Sequence, residues 1–171
     1  MKQTGRNIKR RLYAFTLLHN RLQRAKYYRG YGVHSPFVYM LVRRAFMATS
    51  VKEQGEESLY DALLRSGVAK RRAVQLQAAF DYCEAKHFSI DSSEGDFRIL
   101  TEEYPTELLA EACQAAQKDG VTAVIMKPYA DGERQSACQS VVEQHNSTSV
   151  DNRGFLMFFN TKKLPKQHFR L

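Results

Sequence analysis

The sequence predicts an α/β protein in which an N-terminal group of helices covers a small mixed sheet. Up to about residue 86, apolar side chains recur mainly at helical spacing. After that point, short apolar runs alternate with helical segments, and the run at residues 121–126 has the character of a strand buried on both faces of a sheet. A turn at residues 151–154 separates a short candidate strand from a further apolar run and predicts an antiparallel hairpin.

The helical part begins with an amphipathic pattern over residues 6–28, in which apolar side chains recur every three or four positions. Ser35 and Pro36 then predict the start of a second helix, because serine caps helix N-termini and proline is favoured in the first turn. Two more helices are predicted over residues 58–65 and 70–86. We therefore expect a basic helical cap at residues 1–52 and a reduced α/β domain at residues 53–171, joined as one compact unit.

The α/β part contains five predicted strands. They lie at residues 87–91, 97–101, 121–126, 147–151 and 154–159, and helices are predicted at residues 104–118 and 133–145. The three cysteines show no zinc-knuckle spacing, so we interpret them as reduced thiols of a cytoplasmic protein. No apolar run reaches the roughly 20 residues of a transmembrane helix, and no metal site is predicted.

Charge divides the chain into two parts. The first 52 residues carry 12 Lys or Arg and no carboxylate, and the remainder carries 14 basic and 18 acidic residues. This basic N-terminal arm has three interpretations: it binds nucleic acid, it lies on an anionic membrane surface, or it packs on the body and leaves its charge solvated. The candidate anion-binding residues are Arg10, Arg11, Arg21, Arg24, Lys26 and Arg29.

Two segments resemble a known family. The run Gly32-Val33-His34-Ser35-Pro36-Phe37-Val38, followed by a hydrophobic helix with an Arg pair, resembles the N-terminal region of a group of bacterial class I S-adenosylmethionine-dependent methyltransferases. The C-terminal part of the chain is also similar to that family. It has the same order of a buried strand, a helix, a strand pair with a Phe-Phe run and the tail at residues 167–171. The resemblance covers about the first 45 and the last 70 residues.

The resemblance implies a Rossmann-like sheet whose first three strands are parallel neighbours. It also implies that the last strand is inserted antiparallel beside the third, with residues 147–151 at the edge. The cofactor would be S-adenosylmethionine, held near Asp91, Ser93 and Gly95 after the first strand. The cap would turn His34, Ser35 and Tyr39 towards a ligand, and the sequence identifies no catalytic residue.

The chain departs from the family pattern in its middle. Only one glycine follows the first strand, where the cofactor needs close approach to the backbone. Six residues separate Ile90 from Phe97, too few for a crossover that contains a helix, so a block of two strands is inferred to be absent. Lys127 and Tyr129 stand where acidic residues are expected. The predicted function is a degenerate, methyltransferase-like pseudoenzyme with weak or no methyl transfer, and the alternative is a nucleic-acid or anionic-surface binding module.

Each candidate site has a purely structural alternative. Asp91, Glu94 and Asp96 form either a remnant cofactor or metal site or an ordinary polar turn between strands. His34 and Ser35 either point into a ligand cleft or are structural, with Ser35 capping a helix and His34 packing or hydrogen-bonding locally. Cys83 and His87 are four residues apart, which is compatible with a thiolate pair or with no functional link. The exposed edge at residues 87–91 also predicts self-association, since unpaired strand edges are normally covered or paired.

Overall fold

A computed structural model of the protein describes residues 32–51, 58–161 and 163–171. These ranges contain five α-helices and one mixed sheet of six strands, which confirms the α/β class. The helices are α1 (Pro36–Leu41), α2 (Leu59–Arg65), α3 (Lys70–Tyr82), α4 (Leu109–Asp119) and α5 (Gly132–Gln144). The strands are β1 (Phe88–Ile90), β2 (Phe97–Leu100), β3 (Thr122–Met126), β4 (Thr148–Asp151), β5 (Phe155–Phe158) and β6 (Gln167–Arg170).

The sheet has the strand order β1-β2-β3-β5-β4-β6. Strands β1, β2 and β3 run parallel, and β5 lies antiparallel between β3 and β4. This confirms the predicted parallel arrangement of the first three strands and the antiparallel insertion beside the third. It also confirms the predicted hairpin of β4 and β5.

Alternating side chains of the strands build two separate cores, one on each face of the sheet. One face carries residues such as Phe97, Val124 and Met157 and packs against the layer of α1, α2 and α3. The other face carries residues such as Ile125 and Leu156 and packs against α4 and α5. Because both faces are covered, β3 is apolar on both sides, as the run at residues 121–126 predicted.

The helix ends follow local chemistry. Ser35 caps α1 by accepting a hydrogen bond from the Val38 N–H at 3.4 Å, and Pro36 is the first helical residue, as predicted. A single π-helical turn, Val42–Phe46, continues α1 and buries the side chain of Phe46 against Phe155, with ring centroids 5.5 Å apart. Gly120 ends α4 with a φ of 73°, a conformation in which glycine is favoured.

Two boundaries differ from the sequence prediction. The helix expected over residues 70–86 ends at Tyr82, since the chain turns back there, through Glu84 at a φ of 54°, to begin β1. The prediction that residues 147–151 form an edge strand is wrong, because β6 pairs with β4 in parallel and forms that edge of the sheet. The side chains of β6 are mostly exposed and show no apolar pattern, so its strand conformation depends on a distant partner.

Only six residues connect the parallel strands β1 and β2. Strand β1 has three residues, so it is about 10 Å long, whereas six residues can span about 20 Å. The chain can therefore return to the start of β2 without a crossover helix. Strand β1 forms the other edge of the described sheet, and self-association through this edge stays a prediction.

Within the described residues, no helix has the length and apolar character needed to cross a membrane.

Candidate functional site

The carboxyl ends of β1, β2 and β3 meet at one edge of the sheet, which is where open α/β sheets bind ligands. Asp91 follows β1, Thr101 follows β2 and Lys127 follows β3. The turn between β4 and β5 reaches the same edge, because Phe155 lies opposite Met126 in the β3–β5 pairing. We call this region the carboxyl edge.

Asp91 holds β1 and β2 together at this edge. Its carboxylate accepts hydrogen bonds from the backbone N–H of Thr101 at 2.7 Å and from the Thr101 hydroxyl at 2.6 Å. Its own N–H donates to the carbonyl of Ile99 at 2.8 Å. Both carboxylate oxygens are therefore bonded to the neighbouring strand, and Asp91 has a structural partner at the position where the resemblance implied a cofactor.

Gly95 is required for a close approach of two backbone segments. Its φ is 75°, and a Cβ at this position would lie 2.9 Å from the carbonyl oxygen of His87. The loop also bonds to itself, since the Ser89 hydroxyl donates to the carbonyls of Ser92 and Glu94 at 3.0 and 2.6 Å. Ser93 is exposed in this loop. The space that a glycine provides here is thus occupied by the protein's own backbone.

Asp96 fixes the return of the loop to β2. Its carboxylate accepts hydrogen bonds from the N–H groups of Lys86 and His87 at 2.9 and 2.8 Å. Burial alone would raise the pKa of Asp96, but these N–H groups and the nearby His87 side chain hold that pKa below its ordinary value. Asp91, Glu94 and Asp96 therefore do not converge, and no group of three or more potential metal ligands occurs in the described ranges.

Side chains from different strands bridge the rest of the carboxyl edge. The ammonium group of Lys127 after β3 forms an ion pair with Glu102 after β2. The hydroxyl of Tyr129 donates to the carboxylate of Asp151 at the end of β4. Lys127 thus connects the segments after the neighbouring strands β2 and β3, and Tyr129 connects the segment after β3 to β4, which lies on the other side of β5.

Arg134 lies beneath this edge and was not predicted from the sequence. Its side chain is 2% exposed. It donates hydrogen bonds to the carbonyl oxygens of Thr101 at 2.5 Å, Tyr104 at 3.0 Å and Met126 at 3.2 Å, and to the Thr106 hydroxyl at 3.4 Å. One planar guanidinium thus ties the ends of β2 and β3 together. In the sequence, Arg134 is an ordinary basic residue near a helix start, and nothing there indicates its burial.

The predicted cap residues do not face a shared pocket with Asp91. His34 is exposed, Tyr39 is 43% exposed, and the Ser35 hydroxyl caps α1. The neighbouring Phe37 packs on Phe159, with ring centroids 4.9 Å apart.

This contact places the start of α1 near the amino ends of the parallel strands, at the opposite end of the sheet from the carboxyl edge. Phe159 follows β5, which runs antiparallel to β3, so it lies beside the amino end of β3. Asp91 lies beyond the carboxyl end of β1. The structure therefore does not bring His34 and Ser35 together with the predicted cofactor residues. The six candidate anion-binding residues of the arm lie outside the described residues.

The cysteines have no nucleophilic environment. All three are free, and burial raises the pKa of Cys83 and Cys113 to about 12 and that of Cys138 to about 11. A thiol with such a pKa carries almost no thiolate at neutral pH. A thiolate pair of Cys83 with His87 is therefore not supported.

An open cleft of about 290 Å³ lies between α4 and α5, towards the amino ends of the strands. Its walls carry the amide side chains of Gln114, Gln117, Gln144 and Asn146, and the buried His145 forms part of its floor. Burial lowers the pKa of His145 below its ordinary value, so this imidazole is neutral at pH 7. The lining of the cleft is mixed, since Ala110 and Val141 lie beside these polar groups and Lys118 also lines it.

Comparison of the chain with family profiles, with curated proteins and with solved structures finds no match.

Proposed function

We propose that the protein is a methyltransferase-like scaffold that performs little or no methyl transfer. The strand order supports this proposal, since three parallel strands and an inserted antiparallel strand are what the resemblance implied. The observation that carries the loss of activity is the bonding of Asp91. Its carboxylate already binds the Thr101 N–H and hydroxyl, and the loop after β1 closes on its own backbone, where a cofactor would need close approach.

Titration calorimetry of the full chain with S-adenosylmethionine and S-adenosylhomocysteine tests this proposal. We expect no saturable heat, because the space beside Gly95 is occupied by the backbone of His87 and the loop after β1 bonds to itself through Ser89. Binding in the micromolar range that is lost in Asp91→Asn would contradict the proposal and make Asp91 a cofactor residue. The exposed Glu94→Gln provides the matched control in the same loop.

A second candidate function is binding of nucleic acid or another anionic surface through the basic N-terminal arm. The specific observation is the charge distribution, in which 12 basic residues precede the first carboxylate at Glu53. Such a segment attracts polyanions through release of counterions, so its affinity depends steeply on salt.

An electrophoretic shift assay with RNA and DNA at several salt concentrations measures this function. We expect a shift at low salt that weakens strongly at moderate salt, and weaker binding of the double variant Arg10→Gln, Arg11→Gln. The double variant Arg65→Gln, Arg170→Gln removes the same charge from exposed positions of the described part and serves as the control. No shift at the lowest salt would remove this candidate.

A further inference from the structure

The helical segment formed by α1 and the π-helical turn after it has one side in the core and one side on the surface. The buried side chains are those of Val38, Leu41, Val42, Ala45 and Phe46. The long side chains exposed on the other side are those of Tyr39, Arg43, Arg44 and, directly after the turn, Met47. We call these four exposed residues the α1 face.

The side chains of the α1 face lie next to one another. Tyr39 and Arg43 are four residues apart, so they are neighbours on the helix surface. The π-helical turn extends this row, since the Met47 N–H donates to the carbonyl of Val42 at 3.0 Å. Nη1 of Arg43 lies 4.0 Å from the Met47 sulfur. An aromatic ring, a guanidinium group and a thioether therefore form one stripe along the segment.

The α1 face exposes both apolar and charged groups. Four large apolar side chains are exposed among the described residues, and two of them are Tyr39 at 43% and Met47 at 37%. Residues 32–51 contain no carboxylate. Neither Arg43 nor Arg44 forms an ion pair in the described part of the chain. The surface is therefore cationic, with apolar groups beside its charges, and its charge is complementary to that of an anionic partner.

The burial of the apolar side of α1 favours a nucleic acid over a membrane as that partner. A helix that binds at a membrane interface places its apolar side among the lipid chains. In α1 that side already packs in the core, and the α1 face offers only Tyr39 and Met47 for insertion. Aromatic rings beside cations are instead typical of surfaces that bind nucleic acid.

The exposed ring of Tyr39 favours a single strand over a duplex. The bases of a single strand can stack on an aromatic side chain, whereas those of a duplex are stacked on one another. The guanidinium groups of Arg43 and Arg44 can bind the phosphates beside such a base. The same combination of residue types occurs earlier in the sequence, where residues 26–31 read Lys-Tyr-Tyr-Arg-Gly-Tyr.

We propose that the α1 face binds single-stranded nucleic acid, with a base stacked on Tyr39 and phosphates bound by Arg43 and Arg44. The proposal rests on the second candidate function, binding through the basic N-terminal arm, and assigns that function to one surface and one class of ligand. It is independent of the proposed loss of methyl transfer, because it uses no residue of the carboxyl edge.

Fluorescence anisotropy of the full chain with a labelled RNA or DNA single strand, and with the duplex of the same sequence, tests the proposal. We expect the single strand to bind more tightly. Tyr39→Ala should weaken single-strand binding about tenfold through loss of stacking and weaken duplex binding much less. Tyr39→Phe keeps the ring and should retain the single-strand affinity. Arg43→Gln and Arg44→Gln should each reduce the slope of log affinity against log salt by about 0.7.

Two variants outside the α1 face provide matched controls. Leu108→Ala removes another large apolar side chain, which is 42% exposed, and Arg65→Gln removes a charge from the exposed last turn of α2. Both should bind the single strand like the unaltered protein. Because all the substituted side chains are exposed, the thermal unfolding midpoints should change little, and measuring them shows that each variant is folded.

The outcomes separate this proposal from the second candidate function. Equal affinity for single strand and duplex, or single-strand binding that is unchanged in Tyr39→Ala but lost in Arg10→Gln, Arg11→Gln, would overturn the proposal and leave the binding function of the arm. No binding of any strand at the lowest salt would overturn both. Binding only to vesicles that contain an anionic phospholipid, weakened in Tyr39→Ala, would overturn the proposal and assign the α1 face to a membrane surface.

Discussion

Arg134 shows how one buried residue shapes the candidate site. A buried guanidinium is costly unless its donors are bonded, and here the bonding partners are carbonyl and hydroxyl oxygens from the ends of β2 and β3 and the segment that follows β2. These bonds fix the two loops that close the carboxyl edge. The arrangement of these two loops therefore depends on Arg134, which contacts none of the predicted cofactor residues.

Replacing Arg134 by lysine should destabilise the protein by about 2 to 4 kcal/mol, because an ammonium group cannot reproduce the planar fork and leaves buried carbonyls without donors. Urea unfolding followed by circular dichroism measures the change. The same substitution at the exposed Arg65 should change the free energy of unfolding by less than about 0.5 kcal/mol. Equal changes in the free energy of unfolding at the two positions would show that the planar guanidinium of Arg134 does not stabilise the fold.

Asp91→Asn should lower the free energy of unfolding by about 1 to 2 kcal/mol, since an asparagine side chain keeps one acceptor and replaces the other by a donor. The Thr101 N–H and hydroxyl both donate to the Asp91 carboxylate. Glu94→Gln, three residues along the chain and exposed, is the control for loss of one carboxylate. A variant as stable as the unaltered protein would argue that Asp91 is placed for a ligand rather than for the fold.

His145 gives the stability a dependence on pH. Burial is the main cause that lowers its pKa, and Lys166 adds to this, whereas bonds with the carbonyls of Thr148 and Phe159 oppose it. Because the folded state binds the proton less readily than the unfolded state, the free energy of unfolding should fall as pH decreases through about 6.5. Thermal unfolding of His145→Gln between pH 8 and pH 5 should show a shallower decline; an identical decline would contradict this assignment.

At the level of secondary structure, the most unusual feature of the sheet is the short connection between its parallel strands β1 and β2. Its six residues leave no room for a helix, and Gly95 lets the returning chain pass beside His87. Gly95 combines a positive φ with close backbone contact. Gly67 has the same φ of 75° but open space around it, and Gly132 has open space without a positive φ.

These three glycines separate backbone strain from steric contact. We expect Gly67→Ala to cost about 1 kcal/mol, from the left-handed conformation alone. Gly95→Ala should cost about 2 to 3 kcal/mol because the overlap with His87 is added. Gly132→Ala, at the start of α5, should be neutral or slightly stabilising. If Gly95→Ala were no more harmful than Gly67→Ala, the loop would not be as tightly closed as described.

Elements specified by local sequence could be predicted, and those specified by distant contacts could not. Ser35 and Pro36 define the start of α1 through capping chemistry, and Gly120 ends α4 through its own backbone preference. Strand β6 has no such local signal, and it forms because its backbone pairs with that of β4. At the candidate site, the position of Asp91 followed from the sequence, but its partner Thr101 is ten residues away and became visible only in the structure.

In the molecule as a whole, the sheet separates two hydrophobic cores. The candidate site lies at the carboxyl ends of the strands, outside both cores. One face is covered by α1, α2 and α3 and the other by α4 and α5. The carboxyl edge between these layers is then crossed by the Asp91 to Thr101, Lys127 to Glu102 and Tyr129 to Asp151 contacts.

We propose that these contacts close the carboxyl edge to S-adenosylmethionine and S-adenosylhomocysteine. The most direct measurement is a titration of the ¹⁵N-labelled full chain with S-adenosylhomocysteine, followed through its two-dimensional amide spectrum. We predict that the amides of Asp91, Gly95, Thr101 and Lys127 keep their positions at millimolar ligand. Saturable shifts concentrated at these amides would contradict the claim and show that the edge opens to the cofactor.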